Sequence, residues 1–258
     1  MLKIIITAAM TLATLVSSAQ VSESRKINDF SKIEVESGIE MTYMESDENS
    51  VKIETDSKID LANVITETNG KTLRVYYSKK NKANAEETIL KVFIAGKNVN
   101  SFKASSKSKI IFDRPITADD IQIDIASGSY FRGTVLANSK TTVYVSSGSV
   151  FSGKFETDYF KGSFKSGATV SLTGSAKKAT INTSSGAYCN AKNFFVDNME
   201  ATARTKSSAL LNAKKIEANA TDASSITFFG EPENLKTGKD SFAIVTKKPA
   251  KPVQIAME

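Results

Sequence analysis

The chain has 258 residues, with 34 Lys and Arg against 28 Asp and Glu, no histidine and one cysteine, for a formal net charge of +6. Lack of histidine removes the usual general base, the serine and cysteine triads that depend on one, and the commonest transition-metal ligand, so most hydrolase templates and a conventional metal centre are excluded. Cys189 has no disulfide partner, and the fold must stand on burial and backbone pairing alone.

Met1, Leu2 and Lys3 form a short basic start, Leu2 to Val16 is apolar apart from a few threonines, and Ser17-Ser18-Ala19 supplies small residues of the kind signal peptidase needs. Residues 1–19 are therefore read as a secretory signal peptide cleaved after Ala19, because the apolar run is too short to span a bilayer. The mature chain is expected to begin at Gln20 with 258 − 19 = 239 residues and, without Lys3, a charge of +5. No cysteine stands at the cleavage site to carry a lipid anchor and no transmembrane segment follows, so the expected location is periplasmic, cell-surface or extracellular.

After a lead over residues 20–28, residues 29–100 alternate apolar and polar side chains in short runs, as half-buried strands do. Ile33 and Val35 precede a Ser37-Gly38 turn, Ile39, Met41 and Tyr43 follow it, and Leu73, Val75 and Tyr77 follow an Asn69-Gly70 turn signal. Asp60 to Ile65 reads as a connecting segment and Lys79 to Glu87 as a polar, charged loop. These opening sheets are expected to cover the apolar end of what comes next.

Between residues 101 and 232 one pattern returns seven times. Its anchor is a serine at 106, 127, 147, 166, 185, 207 and 224, followed by glycine in four copies. Four residues beyond the anchor stand Ile110, Phe131, Phe151, Val170, Cys189, Leu211 and Phe228, an unbroken apolar column. Before the anchor a second inward set is strong at Phe102, Ile123 and Val143 and fades toward Thr205 and Asp222, while Val135, Phe155, Tyr159, Ile216 and Leu235 are assigned to a third face. Period 2 within a copy means strand, and a repeat near 20 residues means that each copy is one turn of a coil whose strands pair with the next. The reading is an all-β parallel β-helix, with seven turns about 30 to 35 Å long at ~4.8 Å per turn. Residues 233–258 read as a basic tail.

Phe30-Ser31-Lys32-Ile33-Glu34-Val35 with Ser37-Gly38, the Asn69-Gly70-Lys71-Thr72-Leu73 turn, Ser101-Phe102-Lys103-Ala104-Ser105 and the Ser-Gly rungs together resemble the head GIN domain family, over about residues 29–232. That family is described as putative auto-transporter adhesin heads and was formerly a domain of unknown function. The resemblance implies a right-handed β-helix, an envelope location and adhesin-like activity, and brings no catalytic residues. Rungs five to seven depart from its pattern in spacing or glycine, which implies distorted C-terminal turns.

The serine column is read as a structural device, each hydroxyl closing its own turn. Lys79, Lys80 and Lys82 and Lys247, Lys248 and Lys251 are read as a solvated loop and tail, with anionic glycan or membrane contact as the sharper alternative. The outward columns after each turn form a flat polar face with Tyr130, Arg132 and Tyr188 as candidate ligand contacts. The sequence thus points to an exported, non-catalytic binding or structural module without cofactor or metal, whose partner is a glycan or an envelope protein and not nucleic acid. The alternative is a polysaccharide lyase or hydrolase using carboxylates among Asp113, Asp119, Asp120 and Asp124.

Overall fold

The computed structural model describes residues 21–55, 58–78, 90–229, 234–237 and 244–248, so the expected signal peptide and the expected Lys79–Glu87 loop lie outside the described residues. The chain is a parallel β-solenoid of about six turns. Each full turn has three faces: face A before the Ser-Gly turn, face B after it, and face C, which leads back to A. From β10 (Ile116–Ile125) through β11 (Tyr130–Val145), β12 (Val150–Phe164), β13 (Thr169–Ser184), β14 (Tyr188–Arg204) and β15 (Ser208–Ala220), every strand lies parallel on the one before it.

Stacking is in register, so a residue meets its counterpart one turn away. On face B the buried column runs Ile110, Phe131, Phe151, Val170, Cys189, Ala209 and Ile226. The Phe131 and Phe151 rings stack with centroids 4.6 Å apart, within a chain of ring contacts from Tyr43 to Phe194. Glycine makes room for these rings. A Cβ on Gly133 would come within 2.8 Å of Phe112 Cγ, one on Gly162 within 2.6 Å of Phe164 Cζ, and one on Gly153 against the Phe155 ring.

The corner between faces A and B is built by two consecutive residues with positive φ: Ser127-Gly128, Ser147-Gly148, Ser166-Gly167 and Ser185-Gly186 all adopt this form. The N–H of the second residue donates to the carbonyl of the first residue one turn on, as Gly128 does to Ser147 at 2.9 Å and Gly167 to Ser185 at 3.0 Å. The next two corners are Thr205-Lys206 and Asp222-Ala223, with the Lys206 N–H on the Asp222 carbonyl at 2.9 Å. This corrects the expected register of the last two copies by two residues.

Ser207 and Ser224 belong instead to the buried column of Ser108, Ser129 and Ser149, where hydroxyls accept backbone N–H groups: Ser224 Oγ from Ser207 at 3.1 Å and Ser149 Oγ from Ser129 at 3.2 Å. The hydroxyls of the turn serines themselves make no hydrogen bond among the described residues, so the turn is closed by backbone and not by its own side chain. With the register corrected, the inward part of face A does not fade. It narrows from Ile123 and Val143 to Ala201, Ala203, Ala218 and Ala220, all buried. Tyr159, Ile216 and Leu235 belong to face A and not to the third face, Tyr159 pairing with Lys140 and Ile216 with Met199 and Leu235.

The N-terminal part joins this stack out of chain order. On face A, β2 (Lys32–Val35) lies between β6 (Thr72–Tyr77) and β8 (Ser101–Ala104); on face B, β3 (Glu40–Glu45) lies between β7 (Lys91–Gly96) and β9 (Lys109–Phe112). Antiparallel strands then close the end: β4 (Ser50–Thr55) on β7, β1 (Val21–Arg25) on β4, and β5 (Val64–Asn69) on β6. The expected connecting segment contains a short helix, α1 (Lys58–Asn63). Arg25 ties the two closing hairpins together, donating to the Val64 carbonyl at 2.6 Å and the Leu61 carbonyl at 3.2 Å.

Beyond β16 (Ser225–Phe229), two short strands continue the stack inside the stretch read as a tail: β17 (Asn234–Thr237) on β15 and β18 (Ile244–Lys248) on β16. Lys247 and Lys248 are thus strand residues, while Lys251 lies outside the described residues.

Phe151→Ala should cost about 3–5 kcal/mol, the range for deleting a buried ring, and Phe151→Asp should abolish the cooperative melting transition because the charge has no partner inside; chemical and thermal denaturation followed by circular dichroism check both. The corner register is tested at Lys206. Relieving a left-handed side chain worth ~1–2 kcal/mol, less about 0.5–1 for glycine's extra chain entropy, Lys206→Gly should be neutral to slightly stabilising, whereas Gly186→Ala should destabilise.

Candidate functional site

Face B carries the three candidate ligand residues. From Tyr130 to Leu210 its first three positions stay in register from rung to rung, and alternate side chains are forced outward by the burial of Phe131, Phe151, Val170, Cys189 and Ala209. The first outward column reads Tyr130, Val150, Thr169, Tyr188 and Ser208, and the second Arg132, Ser152, Ser171, Asn190 and Leu210.

The structure places Tyr130 and Arg132 on the same strand, two residues apart. Tyr188 stands in the Tyr130 column three rungs away, a separation of ~14 Å at ~4.8 Å per rung. The three candidates therefore share a face without forming one pocket. Val150, 43% exposed, lies between the tyrosines and was missed although its place in the column could be read from the repeat.

Two grooves flank other faces. One of about 510 Å³ lies on face A, lined by Tyr159, Thr180, Glu200 and Glu217 among others. Tyr159 shares a hydroxyl contact with Thr180 at 3.0 Å and has the Lys140 ammonium 5.8 Å from its ring centre. The other, about 710 Å³, lies on face C and includes Leu136 and Phe195, the latter 59% exposed. Its lining includes two ion pairs toward the corner of faces C and A, Lys177 with Asp158 and Lys214 with Asp197, each at 2.7 Å.

Of the four aspartates of the catalytic alternative, Asp119, Asp120 and Asp124 lie along β10 and Asp113 lies just after β9. Asp113 follows β9 and lies 3.8 Å from Arg114, Asp119 accepts from the Asn138 amide at 3.0 Å at the corner of faces C and A, and Asp124 points outward on face A. None lines either groove. Among the described residues no cluster of three or more potential metal ligands forms. Burial pushes the Cys189 thiol up from its ordinary pKa, making it a poor nucleophile in the core column.

Asp124 is also shifted up. Burial is the main cause and Glu34 adds to it, against the opposing pull of Lys103 and Lys165. Its neighbours belong to a run of alternating charge across the out-of-order strands: Arg74 reaches Glu67 at 2.9 Å and Glu34 at 3.7 Å, and Lys103 reaches Glu34 at 3.7 Å.

Fold and surface together define a class: an elongated, single-coil β-solenoid that presents flat polar faces and no assembled catalytic centre among the described residues. Residues 29–232 match the family model described as "Putative auto-transporter adhesin, head GIN domain", and the chain belongs to that family. Solved structures with the same fold include a putative adhesin from Parabacteroides merdae, 18% identical with a TM-score of 0.78 over 90% of this chain and 95% of that one. A putative adhesin from Bacteroides fragilis is 18% identical with a TM-score of 0.67, over 90% of this chain and 98% of that one. A protein from Parabacteroides distasonis described as a putative lipid binding protein is likewise 18% identical, with a TM-score of 0.73 over 90% of this chain and 96% of that one. No curated protein matches the chain.

Because the folded-state pKa of Asp124 lies above its unfolded value, its contribution to stability is present below the unfolded pKa and is lost as pH rises through the folded one. Asp124→Asn should therefore raise the melting temperature at neutral pH and leave it nearly unchanged in acid; melting curves of both proteins across that range check the sign.

Proposed function

We infer that the protein is an exported, non-catalytic binding module of the cell envelope that works as an adhesin-like head. The observation that carries this reading is face B: a rigid, exposed surface repeated over successive rungs, in a chain of an adhesin-head family. A stack of equivalent positions offers many weak contacts at fixed spacing, and such contacts sum when several copies are displayed together. Export is supported by the signal-peptide pattern of residues 1–19, and the described residues include no helix long and apolar enough to cross a membrane. A non-catalytic role is supported by the lack of histidine and by the position of Asp113, Asp119, Asp120 and Asp124 outside both grooves. The partner is a glycan or protein of a cell surface, met by face B through Tyr130, Arg132 and Tyr188.

Binding of the labelled, exported protein to intact bacterial and host cells tests this reading. The wild type should bind saturably, and a variant combining Tyr130→Ala, Arg132→Ala and Tyr188→Ala should lose most of that binding at an unchanged melting temperature. Undiminished binding by the variant would move the site to another face, and no binding by either protein would leave a structural role. The amino-terminal sequence of the exported protein should start at Gln20.

A further inference from the structure

The charges of the coil are sorted by face. Residues 126–134, 146–154, 165–173, 184–193 and 204–212, which are the corner and face B of five successive rungs, contain no Asp or Glu at all. The same segments carry Arg132, Lys154, Lys165, Lys192, Arg204 and Lys206. The carboxylates of these rungs lie elsewhere: Asp158 and Asp197 are at the opposite corner, each bound to a lysine, and Glu200 and Glu217 are in the face A groove. Lys177 and Lys214 at that opposite corner are thus matched, whereas Arg132, Lys154 and Lys192 form no ion pair among the described residues and have no carboxylate within their own segments. Random scatter of the surface charge does not produce five acid-free segments in register.

The same face has an apolar track. Tyr130, Val150, Thr169 and Tyr188 follow one another along the axis, with Tyr188 39% exposed and Val150 43% exposed. Beside them the short side chains of Ser152, Ser171 and Asn190 offer hydroxyl and amide groups at the same interval. The pattern is amphipathic along the axis and only two outward columns wide across it. A ligand that uses all of it must be long, narrow, anionic and able to place flat CH faces on aromatic rings. Pyranose units of an extended polysaccharide repeat at about the interval at which strands repeat along the rod, ~4.8 Å. Such a chain laid along the axis meets one pair of outward side chains at every unit, with a ring at the Tyr130 and Tyr188 rungs.

We propose that face B binds a linear acidic polysaccharide, one carrying carboxylate or sulfate groups, along the solenoid axis. Tyr130 and Tyr188 are its stacking platforms, and Arg132 and Lys154 flank the track as its charge partners. Nucleic acid shares the charge but fits less well, because the face has only two rings and otherwise lacks the aromatic platforms on which successive bases stack. This proposal rests on the binding-module reading above and names the ligand class of the same face.

Isothermal titration of the exported protein tests it, with a hexagalacturonate, a heparin hexasaccharide, neutral cellohexaose and an oligothymidylate as probes. At least one acidic hexasaccharide should bind, with the other showing whether carboxylate or sulfate is preferred, and cellohexaose should bind at least about tenfold more weakly. Affinity should fall several-fold as ionic strength rises from ~0.01 M to ~1 M, where the screening length drops from ~30 Å to ~3 Å. Tyr188→Ala and Lys154→Ala should each weaken binding several-fold and Arg132→Glu should weaken it most, all at unchanged circular dichroism, while Lys178→Glu on face A should have no effect.

Equal affinity for cellohexaose, indifference to salt, no effect of Arg132→Glu, tighter binding of the oligothymidylate, or no binding of either acidic probe would each overturn the proposal. Cell binding that persists without acidic-glycan binding would refute the ligand class alone. Loss of cell binding as well would count against the binding-module reading itself.

Discussion

The structure depends on one constraint: each turn of the coil lies on the next in register along faces A and B, with the differences in turn length taken up by register shifts between them. Parallel pairing fixes that register, and the corner reinforces it, since the N–H of Gly128, Gly148, Gly167 and Gly186 each reaches a carbonyl of the following corner. Once the corners are aligned, the strands on either side have no freedom to slip, because a shift of one residue would expose the whole inward column. Like residues therefore meet like. Inside, this produces the stacked Phe131 and Phe151 rings, and outside it produces straight columns of side chains running along the axis.

Register also explains the association of glycine with phenylalanine. The interior of a three-faced coil is narrow, yet β12 alone brings Phe151, Phe155, Phe160 and Phe164 into it at one level, and glycine at neighbouring inward positions leaves the space their rings fill. Gly133 faces Phe112, and Gly153 lies beside Phe151 and Phe155, at positions where even a methyl group would collide. Toward the C-terminus the rings give way to Ala201, Ala203, Ala209, Ala218 and Ala220, so the core keeps its density by pairing smaller residues. The buried serines belong to the same economy of space. The Ser108, Ser149 and Ser224 hydroxyls accept N–H groups at the corner, and Ser207 donates to the Thr183 hydroxyl at 3.2 Å.

The N-terminal part shows what happens where repetition does not specify the order. Strand β2 pairs with β6 on one side and β8 on the other, although β6 follows it by about 40 residues in the chain. The alternating charges of Glu67, Arg74, Glu34 and Lys103 run across these strands and match the observed order, in which no like charges are neighbours. Exposed pairs of this kind contribute little to stability, about 0–1 kcal/mol each. Their effect is to disfavour other orders of strands that would bury the same apolar surface.

The sequence by itself determined the class of fold, the apolar column of face B through Cys189, and the identity of the face that carries Tyr130, Arg132 and Tyr188. These are local or periodic properties: alternation fixes which side chains point inward, and a repeat near 20 residues with small residues at the corner admits few structures other than a coil. Only the tertiary structure decided the register of the last two turns. Serine occupies both the exposed corner and the buried column beside it, so Ser207 and Ser224 look like anchors, and only the stacking of Ser208 on Tyr188 shows that Thr205-Lys206 is the corner. It alone also decided the position of β2 between β6 and β8, the addition of β17 and β18 to the stack, and the sorting of charge by face. Each of these joins residues far apart in the chain through the spacing between turns, a distance that one-dimensional order does not contain.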